Sequence, residues 1–133
     1  MAYCYWFPAR ILILIGAVGR GDTINLKVGV YRQIVTTNRS VNLIGAGSGT
    51  TFADGDKKGS VLPIGKTNSN IDVTLAHMVI QKGLSENGGG INNFGRLTLE
   101  DTIITRNEAT GSGGGVSNKD GTMVMNYRGY EGI

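Results

Sequence analysis

Residues 71–121 state nearly the same sequence twice, and this internal repeat limits the fold more than any other feature of the chain. The first copy, IDVTLAHMVIQKGLSENGGGINNFG, runs from Ile71 to Gly95; the second, RLTLEDTIITRNEATGSGGGVSNKDG, runs from Arg96 to Gly121. Val73-Thr74-Leu75 answers to Leu97-Thr98-Leu99, and Met78-Val79-Ile80 to Thr102-Ile103-Ile104, both at an offset of 24. Gly88-Gly89-Gly90-Ile91 answers to Gly113-Gly114-Gly115-Val116 at an offset of 25. A fixed period of this length marks a solenoid, in which each repeat buries its apolar face only by stacking on the next.

Within each copy apolar residues alternate with polar ones, as in a strand whose side chains take opposite faces. Val, Ile and Thr suit a pleated surface, and Gly, Asn, Asp and Ser interrupt the runs too often for helices. The pattern predicts an all-β fold, a right-handed parallel β-helix of about five coils of about 25 residues. Leu75 should lie directly beneath Leu99 inside it, with Thr74 and Thr98 outside, at the usual strand spacing of about 4.8 Å.

A chain of 133 residues is the size of one domain. Of its 22 glycines, ten fall between Gly83 and Gly121, where the repeat makes them corners rather than linker. The net charge of +3 is uneven: residues 1–66 hold 8 basic and 3 acidic residues, residues 67–133 hold 5 and 7. No Lys/Arg run or interleaved aromatics accompany it, so a nucleic-acid partner is not expected. The single cysteine, Cys4, excludes an intramolecular disulfide and leaves the compartment undecided.

Residues 1–20 stand apart from the 21–133 β-helix. Arg10, the apolar run Ile11–Ile15 and Gly16-Ala17-Val18-Gly19 fit a secretory signal, a cap strand or helix closing the first coil, or an aberrant start. The run is too short to span a bilayer. From Gly21 short alternating segments begin, and Pro63 is expected to leave its coil locally imperfect because it lacks a ladder donor. Met123-Val124-Met125, offset by 26 from Leu97, starts a third copy. The last coil is therefore read as incomplete, with end-to-end self-association through it or a natural chain that continues past Ile133, unless Tyr127 and Tyr130 fold over it as a lid.

GDTINLKVGVY, VNLIGAGSGTTFADG and the two GGG-apolar-x-Asn passes resemble right-handed parallel β-helix surface proteins. The nearer similarity is to polymorphic outer-membrane-protein-type, adhesin-like repeats. Ile104-Thr105-Arg106-Asn107 followed by Gly114-Gly115-Val116 carries it, while Gly83 stands where the family pattern has Asn. The resemblance implies an extracellular or cell-surface location and the pectate-lyase-like fold, which also hosts polysaccharide-active enzymes.

Two carboxylate pairs are the weak catalytic candidates: Asp54 with Asp56, in a turn where Asp is expected for local backbone bonding, and Glu100 with Asp101, read together with Arg106. His77 lies one coil beneath Asp101 as a solvated corner pair. No metal-ligand set and no cofactor motif is present; the glycine passes lack the Lys and following helix of a phosphate loop. Asn93 and Asn118, at the repeat offset, are expected to stack as a structural amide ladder. An outward polar column of Asn25, Asn42, Thr74 and Thr98 is the ligand-binding candidate, with Val79 and Ile103 as an outward apolar pair on an adjoining face. The expectation is a non-catalytic spacer or binding module whose partner is a glycan or cell-surface component. The alternative is a polysaccharide-active enzyme or a remnant of one.

Overall fold

The computed structural model describes residues 2–5, 15–16, 18–67 and 70–126. Their arrangement follows from the alternation. β1 (Ala2–Tyr5) is followed by β2 (Thr23–Leu26) and β3 (Gly29–Arg32), and the next turn supplies β4 (Val41–Ile44), β5 (Thr51–Asp54) and β6 (Leu62–Ile64). The first repeated turn holds β7 (Asp72–Ala76), β8 (Val79–Gln81), β9 (Leu84–Asn87) and β10 (Ile91–Asn93). The second holds β11 (Arg96–Glu100), β12 (Ile103–Thr105), β13 (Glu108–Ser112) and β14 (Val116–Ser117), and β15 (Thr122–Met125) follows. Every pairing is parallel, giving sheets β1-β2-β4-β7-β11-β15, β3-β5-β8-β12, β6-β10-β14 and β9-β13. The fold is a parallel β-solenoid of about four turns, against five expected, spaced about 24 residues apart.

Leu99 pairs with Leu75 and Thr98 with Thr74, both leucines fully buried and both threonines half-buried. The inward columns Ile24–Leu43–Leu75–Leu99, Tyr31–Ala53–Ile80–Ile104 and Leu62–Ile91–Val116 fill the interior. Burying each such side chain contributes about 1.5–3 kcal/mol, and that gain requires the turn above or below.

The corners are built from the glycine passes. Gly88 and Gly113 take φ of 65° and 69°, a left-handed conformation that costs glycine nothing. Beyond them Gly89 donates to the Gly113 carbonyl at 3.2 Å and Ile91 to Gly115 at 2.9 Å, so corner stacks on corner. Asn107 belongs to this fabric: its Oδ1 accepts from the Gly83 amide at 2.8 Å and its Nδ2 donates to the Ile80 carbonyl at 3.0 Å. Gly83 stands where the second copy has Asn107 because a Cβ there would overlap the Gly89 carbonyl oxygen.

The strand that extends the first sheet at its N-terminal side is β1, while Ile15 and Val18 sit in the core; residues 11–14, Tyr127 and Tyr130 lie outside the described residues. Val79 and Ile103 occupy an outward column with Val30 and Phe52, but Val79 is only 3% exposed and is no surface residue. Pro63 lies in β6, the edge strand of its sheet, beyond which the Val35 and Thr37 amides donate to the Val61 and Pro63 carbonyls at 2.7 and 2.8 Å around the isolated Thr37–Ile64 bridge.

Candidate binding cleft

The β9-β13 and β6-β10-β14 sheets meet at the stacked glycine corners, and their outer faces enclose an open cleft of about 600 Å³. Its walls are columns one turn apart. Asn87 faces Ser112 on one side, and Asn92 pairs in register with Ser117 on the other. Phe94 follows Asn92 by two residues and so shares its outward side; Lys119 and Asp120 lie on the next turn. Asn93, between Asn92 and Phe94, points inward and is 1% exposed. Its Nδ2 donates to Asn118 Oδ1 at 2.6 Å and to the Thr122 carbonyl at 3.1 Å, while its Oδ1 accepts from the Gly95 amide at 3.0 Å. This anchored amide fixes the backbone on which Asn92 and Phe94 are displayed.

The outward side chains are differently placed. Among the described residues, none forms a hydrogen bond or ion pair with the side chains of Asn92, Ser117, Lys119 or Asp120. Asn87 spends its Oδ1 on the Ser112 amide at 3.2 Å. The cleft thus presents one aromatic ring, uncommitted amide and hydroxyl groups, and one charge of each sign.

The carboxylates are engaged elsewhere. Asp54 is 1% exposed; its Oδ1 accepts from the Asp56 amide at 2.8 Å, its Oδ2 from Gln81 Nε2 at 3.1 Å, and Lys82 Nζ stands 3.9 Å away. Asp56 is exposed beside Lys58 at 3.6 Å. Asp101 and His77 stack at a different corner, Oδ2 to Nδ1 3.5 Å, both more than a third exposed. Asp101 precedes β12 and Arg106 follows it, which separates them by on the order of 10–15 Å along an extended strand. Arg106 instead stacks at the Asp54–Asp56 corner, its carbonyl accepting from the Lys82 amide at 3.1 Å and from Lys57 Nζ at 3.4 Å, while Asp101 stands apart from that corner, so Glu100–Asp101 does not stand with Arg106. Among the described residues no group of three or more His, Cys, Asp or Glu side chains is placed to hold a metal ion, and no helix is long and apolar enough to cross a membrane.

No family model, curated protein or solved structure matches this chain. The parallel β-solenoid stands on the strand registers, and no comparison supports the adhesin-like resemblance.

The outward polar column is real but differently composed. Asn42, Thr74 and Thr98 stack in register with Thr23 below and Val124 above. Asn25 belongs to the neighbouring column, opposite Ile44. A strand aligned two residues out keeps the same face, so alternation alone could not separate Thr23 from Asn25. Phe94 and Asn92 were not singled out from sequence. The available signal was that Phe94 is the only Phe, Tyr or Trp between Ile71 and Gly121.

Proposed function

We propose that this chain is a non-catalytic binding module of the extracellular space or a cell surface, its solenoid holding a recognition surface in fixed register. The observation that carries this reading is the open cleft, whose amide, hydroxyl and charged side chains are largely without partners among the described residues. Binding sites of small and extended ligands combine such placed polar groups with an apolar surface. A carbohydrate-cleaving centre would instead need paired acid and base groups flanking one bond, or carboxylates around a cation. Asp54, the most buried of the candidates, has both carboxylate oxygens engaged within its own corner, by the Asp56 amide and Gln81 Nε2, with Lys82 Nζ at 3.9 Å.

Glycan-array binding by the purified protein, paired with a lyase assay on acidic polysaccharides in calcium, tests the reading. The expected result is retention on a subset of glycans with no unsaturated product. Turnover by pure protein, abolished by Asp54→Ala or Asp101→Ala, would overturn it.

A further inference from the structure

We infer that the cleft beside Phe94 takes a neutral saccharide chain lying across the two repeated turns; this rests on the binding-module reading and specifies its ligand class. A sugar ring has an apolar face of C–H groups and an edge of hydroxyls that both donate and accept. The cleft offers the complement of both. Phe94 supplies a flat apolar surface, and beside it stand the Asn92 amide and the Ser117 hydroxyl, each able to donate and to accept. Asn92 and Ser117 occupy equivalent positions one turn apart, separated by the strand spacing of about 4.8 Å. The same chemistry is therefore repeated along the solenoid axis, as a repeating ligand requires.

Other ligand classes fit less well. An extended peptide is held chiefly by backbone pairing with a free strand edge. Here β10 is already paired on both sides, with β6 and β14. β13 and β14 end their sheets among the described residues, but a peptide added there would extend the sheets along the solenoid axis instead of filling the cleft between their faces. A nucleic acid or sulfated polymer needs a track of cations. The cleft has Lys119 alone, next to Asp120, so its two charges cancel. What remains is a neutral polymer recognised by stacking and by direct or water-bridged hydrogen bonds.

The test uses the whole chain titrated with neutral hexose oligomers of increasing length, followed by calorimetry and by the NMR shifts of backbone amides. Affinity should rise with length until the oligomer spans the two turns, and shifts should centre on residues 92–94 and 117–120. Phe94→Ala should weaken binding by about tenfold or more, as truncation of a central aromatic contact does. Because Phe94 is half-buried, Ser117→Arg is the second variant: it fills the cleft from an outward position and should abolish binding while the amide spectrum elsewhere is unchanged. Thr74→Arg and Thr98→Arg, on the flat outward column, should bind as the unmodified protein does. Binding lost in the threonine variants but retained in Phe94→Ala and Ser117→Arg would overturn the cleft assignment while leaving the module reading intact. Preference for acidic over neutral oligomers would overturn the ligand class. Absence of any glycan binding would overturn both.

Discussion

At the scale of single residues, asparagine links turn to turn as disulfides link segments in small secreted folds of other kinds. Asn93 is inward, buried and fully bonded, whereas Asn118 occupies the same position one turn on and is half-buried. Removing the side chain of Asn93 leaves the Gly95 amide and the Asn118 carboxamide without their partner inside the turn. Asn93→Ala is therefore expected to destabilise by about 1–3 kcal/mol, and Asn118→Ala by less, measured by chemical denaturation. Asn107→Ala should cost a similar amount, because it orphans the buried Gly83 amide and removes a side-chain bond to the Ile80 carbonyl. The Asn of the repeat pattern is thus a stitch between turns, and its absence at Gly83 is accommodated because Asn107 reaches back from the next turn.

At the scale of elements, strands carry their own cross-links. Asp72 and Arg96 stand in register on β7 and β11, with Arg96 Nη2 donating to Asp72 Oδ2 at 2.9 Å. The Arg96 hydrogen bond holds the Asp72 carboxyl below the usual carboxylate range. Since the folded value is the lower one, the stabilisation is present above the ordinary carboxylate range and is lost as pH falls through the lowered value. Both side chains are more than half exposed, so the effect is small and screened by salt. Asp72→Asn should flatten the acid limb of stability against pH in low salt and change little in high salt. An unaltered acid limb would mean that the pair contributes nothing.

The elements also show where sequence reading succeeds and fails. From Ile71 onward the strands were legible because two copies of one length had to stack, which fixes face and register together. Earlier turns have no such constraint. Thr23 pairs with Asn42 at an offset of 19, and Val41 with Val73 at an offset of 32. The longer step accommodates the Asp56–Gly59 turn and the segment after β6, neither of which alters the strands. Alternation identified the strands that carry the inward columns but not β1, β9 or β13, whose residues do not alternate in this way; only the three-dimensional pairing could say which outward residue meets which, and so replace Asn25 by Thr23. The cleft was illegible for a related reason. Its concavity arises from two sheets meeting at glycine corners, and it brings Phe94 opposite Asn87, residues whose separation in sequence carries no periodic signature.

At the scale of the whole molecule, each turn is supported only by its neighbours, so turns can be removed without redesign of the rest. Excising residues 72–95 would bring β11 onto β4, with Leu97 over Val41 and Leu99 over Leu43, the same pairs that Val73 and Leu75 make now. The shortened protein should keep a strand-rich circular dichroism spectrum and a cooperative melt, at a lower midpoint. A featureless coil would show that the repeated turn is a keystone and not a brick. The counterpart is growth. Because Asn92 and Ser117 are one position seen in successive turns, duplicating the repeated turn would lengthen the row they form by one strand spacing, about 4.8 Å. The molecule would then behave as a ruler: the number of turns written into the gene would set how many units of a partner polymer can be read at once.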